Sequence, residues 1–237
     1  MSGAVRERLA ALDWRSLRAD LDARGWARTA PLLTAAECDA LVRLWEDDEC
    51  FRKRIDMESH RYGRGEYRYL AYPLPQLVRE LRAELYRRLR PVAEHWLRSV
   101  GEEPDYPGSL RGFIARCAEA GQLRSTPLLL RYTRGGYNCL HQDRYGNVAF
   151  PIQAVVCLSR RGVDYEGGDF LLVEQRPRAQ SRGESIALER GELLFFPNAL
   201  RPLPSKRGPV RGTVRHGLST LTRGERFALG VIFHDAQ

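Results

Sequence analysis

The chain has 237 residues, 43% of them hydrophobic, enough to bury a sizeable core, and it carries a formal charge of +8 with a pI of about 9.5. No stretch approaches membrane-spanning length, and Val5-Arg6-Glu7-Arg8-Leu9-Ala10 is charged and helical in pattern where a secretory leader would be apolar, so a cytoplasmic protein without a membrane partner is expected. The five cysteines (Cys38, Cys50, Cys117, Cys139 and Cys157) are odd in number and lack paired zinc-type spacing; they read as reduced thiols, with Cys139 close to the metal motif described below.

Residues 4–24 place Val5, Leu9, Leu12, Leu17 and Leu21 at largely helical intervals, and Gly25 can end that segment. Thr34 followed by Glu37 forms a capping-box pattern ahead of Leu41, Val42, Leu44 and Trp45, which predicts a second helix. Residues 51–75, rich in Arg, Tyr and Gly, have weak periodicity and read either as a packed connector or as a wall of a substrate site. A long helix is expected over about Pro75 to Val100, kinked or divided by Pro91.

From about Pro127 the apolar period changes from helical to extended. Candidate strands are Leu128–Tyr132, Ile152–Leu158, Asp169–Glu174, Ile186–Leu188, Leu193–Phe196, Gly212–Ser219 and Phe227–Phe233, separated by Gly- and Pro-containing turns. Many short strands point to a sandwich or barrel. The expected organisation is a helical N-terminal and supporting region over residues 1–126 and a β core over 127–237, forming one integrated globular domain. Gly135-Gly136 and Gly167-Gly168 read as turn devices, since neither lies in a strand–glycine loop–helix pattern.

Chemistry is concentrated in His141-Gln142-Asp143, His216 and Arg226. His141 and Asp143 are two apart, so on extended chain both side chains reach the same side. Two imidazoles and one carboxylate leave open positions on a first-row metal, the ligand set of non-haem iron oxygenases. A His-x-Asp tripeptide alone has little specificity, and a zinc hydrolase also uses two His and an Asp. Arg226 read by itself is one of 38 basic residues on a solvated surface, and Tyr132 an ordinary core residue. His60, His95 and His234 have no comparable partner spacing and read as surface or hydrogen-bonded positions; His234 and Asp235 are adjacent, so on a strand they point to opposite faces and make a poor metal pair.

Four longer strings, "YNCLHQDRYGNVAFPIQAVVCLS", "YEGGDFLLVEQRPRAQSR", "GELLFFP" and "RHGLSTLTRGERFALGVIFHDA", resemble the 2-oxoglutarate/Fe(II)-dependent oxygenase superfamily, most closely the bacterial Oxygenase-NA family. The resemblance covers most of residues 50–237 and is strongest from Tyr132 onward. It implies a mainly β fold with a helical flank, whose core is a double-stranded β-helix (jelly roll) of two antiparallel sheets. It also implies His141, Asp143 and His216 as Fe(II) ligands, Arg226 as the partner of the distal carboxylate of 2-oxoglutarate, Tyr132 as a second donor to that carboxylate, and Asn138, with Tyr137, facing cosubstrate or target. A turn-forming role for Asn138 is equally consistent with the sequence.

The implied reaction consumes 2-oxoglutarate and O2, yields succinate and CO2, and hydroxylates a C–H bond; an N-methyl carbon so oxidised leaves as formaldehyde. Nucleic acid is the substrate class that the family's name and suggested role in repair of alkylated DNA imply. Charge agrees: residues 121–237 hold 17 basic against 10 acidic side chains, residues 1–120 only 21 against 20. Candidate phosphate contacts are Arg176-Pro177-Arg178 with Arg182, Lys206-Arg207 and Arg211; Tyr62, Tyr67 and Tyr69, interleaved with Arg61, Arg64 and Arg68, are candidates to stack bases or line a pocket. Against this, only Lys53 and Lys206 are lysines, an arginine bias that genome composition also produces, and no helix-turn-helix, zinc-finger or RNA-recognition motif is present. Protein side-chain hydroxylation of the prolyl type, small-metabolite oxidation and a non-catalytic nucleic-acid-binding module are the alternatives. Oligomeric state is not readable from the sequence.

Overall fold

A computed structural model describes residues 4–143, 145–176, 178–206 and 208–237. The N-terminal apolar spacing forms two helices where one was expected, α1 (Ala4–Ala10) and α2 (Trp14–Arg24). Asp13 makes the break: its carboxylate accepts from the backbone N–H groups of Arg15 and Ser16 and so starts a new helix, which Gly25 ends in the left-handed conformation. A short strand, β1 (Ala27–Arg28), leads to α3 (Ala35–Arg43), whose Thr34/Glu37 capping box is complete.

Residues 51–70 hold three strands that sequence periodicity had not resolved, β2 (Phe51–Asp56), β3 (Gly63–Arg64) and β4 (Glu66–Leu70). Pro91 does not divide the long helix: α4 runs unbroken over Gln76–Ser99. Val78, Leu81, Leu85, Leu89, Val92 and Trp96 are buried along its length, and that burial outweighs the roughly 3 kcal/mol a mid-helix proline costs. Helix α5 (Leu110–Glu119), capped by Ser109, was not anticipated, although Leu110, Phe113, Ile114 and Cys117 have helical spacing.

The remaining strands are β5 (Leu128–Thr133), β6 (Tyr137–His141), β7 (Ile152–Cys157), β8 (Tyr165–Gly167), β9 (Phe170–Gln175), β10 (Arg182–Ile186), β11 (Leu193–Pro197), β12 (Leu200–Leu203), β13 (Val210–Leu218) and β14 (Leu221–Val231). Of the stretch read as a strand at Ile186–Leu188 only Ile186 belongs to β10, which pairs with β9 over Arg182–Ile186 upstream of it. A larger antiparallel sheet runs β1-β11-β7-β14-β5-β4-β2, with β8 also on β14; a smaller one runs β10-β9-β13-β6-β3, with β12 also on β13. This is the double-stranded β-helix arrangement with flanking helices.

Alternation along the larger sheet separates two apolar layers. Val155, Cys157, Leu194, Phe196 and Ala228 meet Phe170, Leu172, Val214 and Leu218 of the smaller sheet, whereas Ala154, Val156, Leu193, Phe195, Leu229 and Val231 face the helices. Strands buried on both faces explain why β7 and β11 read as continuous apolar runs. Among the described residues no helix is long and apolar enough to cross a membrane. Of the cysteines, all free, Cys38, Cys117 and Cys157 are buried, Cys50 is half-buried and Cys139 is exposed.

Helix α4 is tied to the end of β14 by one polar cluster. Arg82, fully buried, donates to the carbonyls of Ile232 and Phe233 and pairs with Asp235 at 2.7 Å. That pair removes Asp235 from any metal role. The neighbouring His234 is also buried: its Nδ1 accepts from the Phe150 N–H at 3.2 Å, and Nε2 has no partner. Burial depresses its pKa to about 4, from 6.5. The folded protein therefore binds fewer protons here than the unfolded chain between those values, so this contribution is intact above pH 6.5 and is lost as pH falls towards 4, on the order of 3 kcal/mol over the full span. Urea unfolding between pH 7 and pH 4 is expected to show this decline, and His234→Gln, which keeps an acceptor for Phe150, is expected to flatten it; an unchanged slope would assign the acid sensitivity elsewhere.

Candidate metal and cosubstrate site

The site begins with strand register. His141 at the end of β6 lies directly opposite His216 on β13, which puts both imidazoles on one face with ring centroids 4.2 Å apart. Asp143, just beyond β6, brings Oδ2 to 3.1 Å from His216 Nε2 and Oδ1 to 3.6 Å from His141 Nε2. One ligand atom from each residue lies within 4.8 Å of the others. Metal bonds of about 2.0–2.2 Å place neighbouring ligands roughly 3 Å apart, so this geometry fits one ion. The fit rests on the donors themselves. His141 Nδ1 donates to the Cys139 carbonyl at 2.8 Å, which leaves Nε2 with a free lone pair toward Asp143. The His216 ring is held by Phe196 and Phe170, at 4.8 and 5.9 Å.

A β-bulge shapes the same strand pair. His216 pairs with His141 but Leu218 pairs with Asn138, so two steps on β13 match three on β6. In a regular strand Asn138 and His141 would face opposite sides; the extra residue lets both serve the cavity. Gly217 makes room for the bulge, since a Cβ there would stand 2.6 Å from the Asn138 carbonyl oxygen.

Electrostatics favour a ligating carboxylate. Burial opposes ionisation of Asp143, but the His216 and His141 imidazoles and the hydrogen bonds it receives hold its pKa well below the usual carboxylate range. His141 is shifted down, chiefly by burial and then by His216, towards the neutral, metal-binding form. Sequence reasoning missed two supporting residues. Tyr145 donates to Asp143 Oδ1 at 2.7 Å and Gln153 donates to Oδ2 at 2.8 Å. Gln153 had one signal, a lone polar residue in the apolar strand β7, which was not used.

Arg226 on β14 lies opposite Tyr132 on β5. It is 2% exposed, its Nε is without a partner, and among the described residues no acidic side chain pairs with it. The Tyr165 ring sits 5.7 Å from its guanidinium carbon, and burial, partly offset by Arg226, pushes the Tyr165 hydroxyl up to about 12. Burying an unpaired guanidinium costs several kcal/mol, so the position calls for an anion. Gly167 and Gly168, both with positive φ, form the turn expected of them, and Gly168 leaves space beside the arginine stem. Asn138 Nδ2 donates to the Tyr132 hydroxyl at 3.3 Å. Three groups far apart in the sequence, the His/Asp/His triad, Tyr132 with Asn138, and Arg226, line one cavity of about 570 Å3, within the range of small-ligand sites. His60 and His95 are exposed, and His234, buried behind Tyr145, is not part of the three-residue ligand cluster.

Fold and ligand set together define the class, that of Fe(II)/2-oxoglutarate-dependent oxygenases, whose catalytically active members typically carry this triad. The chain belongs to the Oxygenase-NA family, described as an oxygenase catalysing oxidative methylation of damaged DNA, whose pattern matches residues 65–236. Two uncharacterized proteins from strains of Mycobacterium tuberculosis are 49% identical to it over 164 residues, covering 69% of this chain and 70% of each relative. A 2OG-Fe(II) oxygenase family oxidoreductase from Burkholderia pseudomallei shares the fold with a TM-score of 0.58 at 15% identity, over 95% of this chain and 94% of that one. A prolyl-4-hydroxylase from Pseudomonas putida does so with a TM-score of 0.55 at 16% identity, over 94% of this chain and 100% of that one.

Tyr145→Phe and Gln153→Leu each remove one hydrogen bond to Asp143. Each is expected to weaken Mn(II) binding by about 10–100-fold in anaerobic titrations while the fold persists; wild-type affinity in both variants would show that Asp143 needs neither support.

Proposed function

We propose that this protein is an Fe(II)- and 2-oxoglutarate-dependent dioxygenase that hydroxylates a C–H bond of alkylated nucleic acid, removing an N-methyl group as formaldehyde. The observation that carries the cosubstrate assignment is the buried, unpaired Arg226 in the same cavity as the His/Asp/His cluster. His141, Asp143 and His216 hold the metal. Arg226 binds the distal carboxylate of 2-oxoglutarate through its planar guanidinium, and Tyr132, oriented by Asn138, adds a hydroxyl to the same end.

When bound, Fe(II), 2-oxoglutarate and O2 supply the oxidising chemistry, with succinate and CO2 as coproducts. The chain's own contribution is placement. The opposed strand positions of Arg226 and Tyr132 fix one end of the diacid, the triad fixes the other, and Phe170, Phe196, Val155 and Leu218 on the cavity wall limit water around it. An oxygenase oxidises a methyl group and has no methyl donor to install one, which makes demethylation the chemical outcome. The family description and the excess positive charge of residues 121–237 support nucleic acid as substrate.

Substitution of His141, Asp143 or His216 by Ala is expected to abolish Fe(II)-dependent succinate formation with methylated oligonucleotides, measured after anaerobic reconstitution and an O2 pulse; turnover preserved in all three variants would remove the triad assignment. Formaldehyde release with loss of the methyl group supports the substrate class, whereas gain of one oxygen on a proline-containing peptide in the same assay overturns it. For Arg226→Ala, 2-oxoglutarate affinity is expected to fall by about 100-fold, the loss of a charge-assisted bidentate contact, with Mn(II) affinity changed far less. Equal cosubstrate affinity in direct binding measurements would reject this role.

A further inference from the structure

The basic segments differ in whether their charge is free. Arg182 is paired with Glu184 at 2.7 Å, Arg211 with Glu102, and Arg176 lies 3.7 Å from Glu174; Arg178 and Lys206 are exposed with no ion pair among the described residues, and Pro177 and Arg207 lie outside those residues. Arg68 is buried, bound to Glu66 and Asp48 over the Trp45 ring, and Tyr69 is buried beneath Arg52, so neither faces a partner. Arg61, Arg64 and Arg134 are exposed, and among the described residues none of them forms an ion pair. No Asp or Glu occurs in residues 59–65 or 126–142, the segments that carry them.

Of these arginines Arg61 lines the cavity, and Arg64 and Arg134 lie further along the same β3–β6 edge. Arg61, Tyr62 and Leu140 line the cavity, and Tyr62 and Leu140 are 50% and 43% exposed. β3 is the edge strand of the smaller sheet, and in its pairing with β6 Arg64 stands opposite the exposed Tyr137. The Arg64 guanidinium lies against Gly135, next to Arg134. The loop before β3 is fixed rather than loose. Tyr62 N–H donates to the Met57 carbonyl at 2.9 Å, Cys139 N–H donates to the Tyr62 carbonyl at 2.8 Å, the His60 ring stacks on Tyr62 at 5.4 Å, and Arg61 is held at φ 59.

We propose that this β3–β6 rim is a grip for single-stranded or extruded nucleic acid, with Arg61, Arg64 and Arg134 on phosphates, Tyr62 as a stacking face at the cavity and Tyr137 as a second one further along the edge. This rests on the function proposed above and adds the surface that recognises the polynucleotide. Exposed aromatic rings interleaved with free cations suit a strand whose bases are unstacked. Depth gives the same answer: Asp143 and His216 are only 8% and 5% exposed, and a base stacked inside a duplex cannot reach groups so enclosed.

The test is fluorescence anisotropy of the full-length protein, loaded with Mn(II) and 2-oxoglutarate without O2, on labelled oligothymidylate, oligouridylate and a DNA duplex over a salt series. Wild type is expected to bind the DNA or RNA single strand more tightly than the duplex. Arg61→Ala/Arg64→Ala/Arg134→Ala is expected to lower the slope of log K against log salt by about 2, since each single-strand phosphate contact contributes about 0.7. Tyr62→Ala is expected to weaken binding about tenfold with little change in slope, and Arg182→Ala/Arg211→Ala to leave the isotherm unchanged. If the triple variant does not fold, Arg61→Glu is read in its place, with a loss of at least tenfold expected. Preference for duplex, equal loss in the Arg182/Arg211 control, unchanged binding in the rim variants, or rim-dependent binding of an acidic peptide with no oligonucleotide binding would each overturn the proposal. Succinate formation by wild type is scored separately: its absence counts against the oxygenase reading, whereas the isotherm requires no turnover.

Discussion

The hydrogen-bond register between β6 and β13 is the constraint on which the site depends. It sets His141 opposite His216, and the bulge beside that pair turns Asn138 to the same side. A slip by one residue would send the two imidazoles to opposite faces of the sheet and separate the only described cluster of three possible metal ligands. Register is specified because the inward face of β13 is committed: Leu218 and Val214 are buried in the layer between the sheets, and Gly217 has no space for a Cβ against β6. Apolar packing thus fixes which polar groups converge, and the chemistry follows from that convergence.

Two fully buried arginines show how differently the fold treats charge. Arg82 has Asp235, a tyrosine hydroxyl and two carbonyl oxygens, a satisfied structural cluster. Arg226 has an aromatic ring and no acid. Both lie among apolar strands, and the physical cost of leaving a cation unpaired there is large. A group retained at that cost in a cavity that also holds two imidazoles and a carboxylate is matched to an anion arriving from solution.

Much of this was legible in the sequence because it depends on local pattern. The Thr34/Glu37 cap, the apolar runs of β7 and β11, and the spacing of His141 with Asp143 are short-range signals that tertiary structure leaves intact. Arg226 and Tyr132 were singled out through the family resemblance; nothing in their immediate neighbours shows that they stand opposite each other. The failures have distinct causes. Asp13 split a helix because a side-chain cap overrode continuous apolar spacing, and of the two effects expected of Pro91, a kink or a division, division is absent because burial along α4 overrode a local breaker. The roles of Tyr145 and Gln153 arise only when distant strands pack, and the freedom of Arg61, Arg64 and Arg134 is a statement about missing partners, which no linear pattern contains.

The cluster around Arg82 has a consequence for the reaction centre. β14 carries Arg226 in its middle and is followed at once by the carbonyls that Arg82 of α4 grips. Peeling α4 away would take Arg82 with it, leave Asp235 and the two carbonyls unpaired, and loosen the strand that carries Arg226. The outer helix and the strand that carries Arg226 therefore depend on the same buried contacts, so that loosening one is expected to loosen the other.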